Sequence, residues 1–526
     1  MPDGETRTQM NYSVLVFTLG CKVNQYDSGA IYESFRIQGF KQYKEPPGAD
    51  RGDNCGKSGG MEGGESDGPS VRIEGREPDG PSVVIINTCI VSAESERKSR
   101  QAIRRMRAKY PNALLAVAGC YPQRFPRQAS EITGVDFISG ISGREALVEW
   151  ALMRLQDSLN NRAPQTGGTN SHPNSTASPP RNSTTPPRHM LESGERTRSY
   201  IKIQDGCNNF CSYCIVPYTR GRARSRELSK ILKEVDFAVS GGAPEIIITG
   251  INISAYSGTK NGGVVNGGIN YNSAINGGAV YGNTINNSAT SNVASLGGLI
   301  DIISKRIKRP DRQVRLRLSS LEPTVVTPGF VRILSENRDV LCPHFHLSLQ
   351  SGSETVLRRM NRAYTPAGYN EAVSMLRAEF PEAGLTTDII AGFPGESADE
   401  FQETYDFCRQ IGFSKIHVFP YSKRPGTRAA DLPDQIGPQE KRNRVRRLIE
   451  LSEELSLAFH RRCIGKDAGV LIENVTENYV EGITGNYIRV RASIANYRAQ
   501  NAFRRGEYIT VRVTGVAPSN VLGIVI

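Results

Sequence analysis

Cys207, Cys211 and Cys214 stand in a CxxxCxxC spacing within IKIQDGCNNFCSYCIVPYTRG, in the loop that leaves a predicted strand. A structural zinc ion asks for four protein ligands, and no further Cys or His follows until Cys342. Three thiolates suit an incomplete ligand set: a four-iron cluster held by three cysteines keeps one iron open to a small molecule that chelates it and receives an electron. A second set, Cys21, Cys89 and Cys120, is scattered along the amino-terminal third. Each of these falls within a few residues of the carboxyl end of a short apolar run: VLVF at 14 to 17, VVIIN at 83 to 87 and LLAVAG at 114 to 119. In a parallel α/β sheet ligands gather beyond the carboxyl ends of the strands, so three distant cysteines can meet at one edge. Cys55, Cys342, Cys408 and Cys463 lie in low-complexity, apolar or element-edge contexts and read as non-ligands.

The elements that must position these thiols follow from hydrophobic periodicity. From Tyr12 to Trp150 the three apolar runs alternate with helical patterns near 25 to 38 and 93 to 110, the signature of a parallel sheet. From Tyr200 to Pro433 six further strand candidates recur, YIKIQ, EIIITGI, QVRLRLS, HFHLSLQ, LTTDIIAG and FSKIHVF, separated by helical patterns. Six βα units imply a barrel or an open partial barrel with its site at the strands' carboxyl ends. A long charged helix, Pro438 to Arg462, comes next. Residues 463 to 526 then switch to period-two patterns (IRVRA, YITVRV, VLGIVI) that predict a small antiparallel β-barrel. Three segments break this patterning: a Gly/Pro/Asp/Glu-rich insert at 45 to 80, a Pro/Ser/Thr/Asn linker and a tract at 257 to 294 that repeats Asn-Gly-Gly.

A chain of 526 residues suits three or four domains. No apolar run reaches the length of a membrane span, and Met1 to Ser13 has no apolar core of the secretory kind, so a reducing cytoplasm is expected and a disulfide framework is not. Lys and Arg number 65 against 53 Asp and Glu, a net charge of +12, and anionic partners follow from that balance. Residues 97 to 127 carry nine basic side chains and no acid, and Arg220, Arg222, Arg224 and Arg226 alternate behind the cysteine loop. Solvated helix faces are the competing explanation of both runs.

The motifs narrow the reading. TLGCKVNQYDS at 18 to 28, NTC at 87 to 89, AGCYPQ at 118 to 123, RLSSLEP at 317 to 323, HLSLQSGS at 347 to 353, TDIIAGFPGE at 387 to 396 and FPYSKRPGT at 419 to 427 resemble the methylthiotransferases, a radical S-adenosylmethionine family with two iron-sulfur clusters. QDGCNNFCSYCIVPYTRGRARSR and SSLEP are most similar to the branch that thiomethylates N6-threonylcarbamoyladenosine in tRNA. The resemblance implies an α/β multidomain protein. It would have an amino-terminal parallel α/β sheet domain at 11 to 155, a disordered linker at 156 to 197 and a radical SAM partial (βα)6 barrel at 198 to 435. A connecting helix at 436 to 462 and an OB-like TRAM barrel at 463 to 526 complete it.

Carried over residue by residue, the family implies that Cys207, Cys211 and Cys214 hold the 4Fe–4S cluster that cleaves S-adenosylmethionine, and that Cys21, Cys89 and Cys120 hold an auxiliary 4Fe–4S cluster that presents sulfur. A deoxyadenosyl radical would then remove hydrogen from C2 of the adenine at tRNA position 37, and a second S-adenosylmethionine would supply the methyl. An electron donor of the flavodoxin or ferredoxin type is implied, and no membrane. Tyr213 stands where the superfamily packs the adenine of S-adenosylmethionine. Gly392 and Gly395 let backbone approach the cofactor or make a plain strand-to-helix turn. Arg220 contacts phosphate, braces the cysteine loop or lies on the surface; Glu322 touches substrate or cofactor, or makes an ordinary Glu-Pro turn. Arg489, Arg491, Arg504 and Arg505 are the expected phosphate contacts of the carboxy-terminal barrel, whose competing role is to cover the long helix. Isopentenyladenosine in tRNA and an aspartate of a ribosomal protein are alternative targets, since all three branches share both cysteine sets. A non-catalytic RNA-binding protein is the alternative from another class.

Overall fold

The computed structural model describes residues 12–44, 80–160, 197–258, 295–494, 503–517 and 519–526. Apart from their margins, the insert at 45 to 80, the linker at 156 to 197 and the tract at 257 to 294 lie outside the described residues, as does Cys55.

The chain divides into two compact units, the first made of Met1–Gly20, Asp27–Ile90 and Glu94–Arg181. Its strands are β1 Ser13–Thr18, β2 Lys41–Gln42, β3 Val83–Thr88, β4 Leu114–Gly119 and β5 Phe137–Ile138, all parallel and ordered β2-β1-β3-β4-β5. Every residue of the central β3 is buried, as expected where helices cover both faces of a β-branched run. The helix Ala93–Lys109 buries Ser99, Ala102, Ile103 and Met106, a three-and-four spacing that marks one face. Its basic residues lie largely elsewhere, and several are locally neutralised: Arg97 pairs with Glu94, Arg100 with Glu96, and Arg107 with Asp136. Much of the basic run is therefore a solvated helix face.

The second unit joins Cys21–Tyr26, Val91–Ala93 and Asn182–Ile526. Strands β6 Arg198–Asp205, β7 Arg224–Ser225, β8 Glu245–Gly250 and β9 Arg315–Leu318 form a sheet ordered β7-β6-β8-β9, and β10 His344–His346, β11 Gly384–Ala391 and β12 Lys415–Pro420 form another. Single bridges from Leu316 to Leu341 and from Leu321 to Leu347 tie the two together. The six parallel strands thus make an arc, and among the described residues no pairing closes β12 onto β6. One face of the arc packs on the helices through residues such as Ile201, Ile246, Leu316, Phe345, Leu385 and Ile416. Ser257 and Ser295 form a bridge, so the described residues on either side of the 257 to 294 tract lie next to each other.

After the helix Pro438–Arg461, strands β13 Asp467–Val475, β14 Tyr479–Thr484, β15 Arg489–Ser493, β16 Tyr508–Val516 and β17 Val521–Val525 close into a barrel ordered β13-β14-β15-β17-β16. Its pairings are antiparallel except β15 with β17, which is parallel. This barrel packs against the amino-terminal ends of the arc strands: Tyr508 donates to the Pro244 carbonyl (2.7 Å), Arg315 to the Gly469 carbonyl (3.0 Å), and the Tyr487 ring stacks on His344 at 4.4 Å.

Candidate active site

The cysteine loop begins where β6 ends, at the carboxyl side of the arc. Gly206 has φ of +71°, and a Cβ there would meet the Arg222 carbonyl at 2.1 Å, so only glycine fits where the chain doubles back. The Cys207 amide donates to the Gly221 carbonyl (3.1 Å) and the Cys214 amide to the Cys211 carbonyl (2.9 Å). Phe210 sits at a positive φ of 46°, a conformation that needs support; Asn361 Nδ2 supplies it by donating to the carbonyls of Asn209 (3.0 Å) and Phe210 (3.2 Å). Ser212 is threaded between two backbone partners, donating to Met360 (3.0 Å) and accepting from Ala429 (2.7 Å).

The thiols are addressed by specific donors. Arg362 Nη1 donates to Cys211 Sγ at 3.1 Å, and its Nη2 to Glu322 Oε2 at 2.6 Å. Glu322 Oε1 in turn accepts from Asn209 Nδ2 at 3.1 Å, which returns the network to the cysteine loop. Cys207 Sγ accepts from the Asn209 amide (3.5 Å) and from the Asn252 side chain. Burial disfavours a charged Arg362, yet Tyr364, Tyr213, Glu322 and Cys211 around it hold its proton affinity well above the ordinary value. Burial also pushes the Cys207 thiol up and the Cys214 thiol up to about 12, with the neighbouring Cys211 adding to both. Ligation at this loop therefore releases protons.

Among the described residues no group of three or more His, Cys, Asp or Glu side chains converges on the position of a single metal ion. The donor set nevertheless fits a four-iron cluster, because each cysteine of such a cluster binds a different iron and three thiols on a loop leave the fourth iron open. The guanidinium on Cys211 and the amide on Cys207 are the sulfur hydrogen bonds that such a cluster uses.

The other predicted residues occupy distinct places. Arg220 is buried and donates to both oxygens of Asp205 (3.1 and 3.2 Å) and to Asn24 Oδ1 (2.7 Å), so it braces the base of the cysteine loop. Burial works against the Asp205 charge, but Lys202 and Arg220 hold its carboxyl at about 2. Tyr213 packs against Val356, Met360, Phe393, Tyr421 and Ala429, an apolar cluster that meets the ends of β11 and β12. Gly392 and Gly395 both have positive φ (73° and 70°), with their amides donated to Glu396 Oε2 (2.8 Å) and the Asp434 carbonyl (2.8 Å). Arg362, Asn209, Asn252 and Asn361 escaped the sequence reading; the left-handed Asn361 at the end of the helix Glu354–Arg359 and the positive φ of Phe210 are backbone irregularities of this neighbourhood that only the structure shows.

In the first unit, register pairs Thr88 with Gly119, so Cys89 and Cys120 leave adjacent strands at one edge, whereas Cys21, three residues after β1 in sequence, falls in the second unit. Ser99 Oγ holds Cys89 at both backbone atoms (3.2 and 3.0 Å). Gly119, at φ +92°, would place a Cβ 2.2 Å from Asn87 Oδ1. On the carboxy-terminal barrel, Arg489 pairs with Glu473 (3.8 Å) and Arg491 with Glu481 (2.7 Å), and Arg504 and Arg505 are exposed on the turn before β16.

Residues 201–408 match the radical SAM superfamily model, and residues 73–140 match the model described as uncharacterized protein family UPF0004. The threonylcarbamoyladenosine tRNA methylthiotransferase MtaB of Bacillus subtilis is 32% identical over 91% of this chain and 90% of its own length. That of Aquifex aeolicus is 31% identical over 88% and 94%. The tRNA-2-methylthio-N(6)-dimethylallyladenosine synthase of Desulfotalea psychrophila is 28% identical over 98% and 99%.

Proposed function

The chain belongs to the radical S-adenosylmethionine tRNA methylthiotransferases, and from that premise we propose that it adds a methylthio group to C2 of N6-threonylcarbamoyladenosine at tRNA position 37. The observation that carries the chemistry is the three-cysteine loop at the carboxyl side of the arc, with Arg362 on Cys211 and Glu322 behind it. The relatives at 30% identity or more over about nine-tenths of the chain support the threonylcarbamoyl substrate.

Cys207, Cys211 and Cys214 would hold one 4Fe–4S cluster and Cys21, Cys89 and Cys120 the other; bound there, they supply the electron for sulfonium cleavage and the sulfur that ends on C2. The protein's own residues orient and shield. Arg362 and Asn209 fix the cysteine loop and place hydrogen bonds on its sulfurs, Arg220 locks the loop to Asp205, and Tyr213 walls the apolar side where the adenine of S-adenosylmethionine packs. Gly392 and Gly395 shape the turn above β11 that faces the same cofactor. Arg489, Arg491, Arg504 and Arg505 contact tRNA phosphates, and a small flavodoxin- or ferredoxin-type donor supplies electrons in the cytoplasm.

Mass spectrometry of tRNA nucleosides from cells lacking the protein tests the substrate. Loss of methylthiolated threonylcarbamoyladenosine alone supports it. Loss of the methylthiolated isopentenyl nucleoside instead transfers the enzyme to the other branch, and no change in either removes the RNA-modifying reading.

A further inference from the structure

The inward face of the last three arc strands is largely polar. Phe345, Leu385, Ile389 and Ile416 pack outward on the helices, so the alternate residues of β10, β11 and β12 face inward. In closed eight-fold barrels these inward positions are filled by branched aliphatic side chains; here they are mostly polar or aromatic, with His344, His346, Thr386, Asp388, Lys415, His417 and Phe419 alongside the aliphatic Ile390. Buried polar groups are tolerated only when paired, and part of this set is paired internally. The Thr386 hydroxyl bridges His344 Nε2 (3.0 Å) and His346 Nδ1 (2.9 Å), and His346 Nε2 reaches Asp388 Oδ2 at 3.2 Å. Register places His417 beside Asp388 and Phe419 beside Ile390, and the His417 ring lies 5.8 Å from that of His346. Because β12 ends the arc, this rung is open: His417 is exposed and Phe419 is 50% exposed.

We propose that His417, backed by the His346–Asp388 pair, reads the polar N6 substituent of the target adenosine, while Phe419, one rung nearer the cysteine loop, takes the purine face. The inference rests on the threonylcarbamoyl reading above and supplies its recognition site. A threonylcarbamoyl group offers a carboxylate that accepts an imidazole N–H and a hydroxyl that donates to Asp388. A hydrocarbon substituent in the same place would strip water from His417 and Asp388 and give nothing back, which penalises the wrong nucleoside. Base stacking on an exposed aromatic ring adds affinity that does not depend on the substituent.

The test uses the full-length, reconstituted protein and three anticodon stem-loops, carrying threonylcarbamoyladenosine, its methyl ester or isopentenyladenosine, with binding read by fluorescence anisotropy. The wild type should prefer the free acid over the ester by about tenfold, the scale of one hydrogen bond to a charged group. His417→Phe should abolish that preference and bind the isopentenyl loop no more weakly than before, and His417→Gln, which keeps a donor, should retain part of it. His417 is exposed, so these variants leave the apolar packing untouched. An unchanged acid-to-ester ratio in His417→Phe overturns the inference while leaving the proposed function standing, provided the wild type methylthiolates the threonylcarbamoyl loop. A wild type that neither prefers nor methylthiolates that loop overturns both.

Discussion

Arg317 and Glu245 form an ion pair with no exposed side-chain surface on either partner, Nε to Oε1 at 2.8 Å and Nη2 to Oε2 at 3.0 Å. The guanidinium also donates to the carbonyls of Thr484 (3.1 Å) and Gly485 (2.9 Å), and the Tyr487 ring lies 4.9 Å from its carbon. Neighbouring strands β8 and β9 are thereby tied to the turn after β14, and the carboxy-terminal barrel becomes the floor of the arc. Burial works against both charges, but each partner holds the other ionised: the Glu245 carboxyl lies below its ordinary value and the Arg317 pKa above.

Removing one member of such a pair leaves a buried charge without its counter-ion, at a cost of about 3–5 kcal/mol. Glu245→Gln should therefore lower the unfolding free energy by that order in a chemical denaturation series, and adding Arg317→Met should recover much of the loss. A single variant as stable as the wild type would show that water reaches the pair.

The six arc strands were legible because each is a short run with apolar residues in period two or in succession, bounded by turn residues, and the loop of Cys207, Cys211 and Cys214 stood out by its CxxxCxxC spacing. The two-residue strands β2, β5 and β7 are too short to show a period. In β13, the ladder with β14 slips between Ile472 and Asn474, which breaks the alternation that a sequence pattern needs. Arg362 was invisible for another reason: it meets Cys211 across 151 positions, after three further arc strands have brought the chain back. Arg489 and Arg491 are expected from sequence to contact phosphate, but their carboxylate partners Glu473 and Glu481 lie on other strands of the barrel and only the fold shows the pairing.

Replacing Cys207, Cys211 and Cys214 together with Ala should reduce the iron bound after anaerobic reconstitution from about eight to about four per chain. Arg362→Met should keep the iron yet make the reduction potential of the cluster at that loop more negative, since a cationic donor on Cys211 Sγ favours the more negatively charged reduced form. Redox titration followed by electron paramagnetic resonance reads that shift. A variant with wild-type potential would reduce Arg362 to a packing residue.

Glu400 caps the helix Ala398–Ile411 in a capping box with Ser397 and accepts both arms of Arg359, at 2.9 and 2.7 Å. The Arg359 hydrogen bonds, against a small burial penalty, hold the Glu400 carboxyl at about 2. A carboxyl depressed in the folded state stabilises above its unfolded pKa, and that contribution disappears as pH falls through the folded value. Glu400→Gln should thus cost about 1 kcal/mol at neutral pH, the scale of a partly solvated pair. The gap between variant and wild type should close between about pH 4.5 and pH 2. A gap independent of pH would mean that the cap, not the charge, carries the effect.

The four arginines of the carboxy-terminal barrel should not contribute equally to tRNA binding. Arg491 donates to Glu481 from Nε (3.0 Å) and Nη2 (2.7 Å) and lies over the Tyr479 ring at 4.6 Å, so a phosphate must displace a partner already in place. Arg489 stands 3.8 Å from Glu473, a looser pairing. Arg504 and Arg505 are presented on the turn that Gly506, at φ +89°, folds back toward β16. Each phosphate neutralised releases condensed counterions and adds about 0.7–0.9 to the slope of log K against log salt. Arg504→Ala with Arg505→Ala should flatten that slope by about 1–2, measured with unmodified anticodon stem-loop RNA between low and physiological salt. Arg491→Ala should change it by less, because the freed Glu481 adds a negative charge at the same place. Equal slopes in wild type and the Arg504/Arg505 double variant would move the RNA-gripping surface away from this turn.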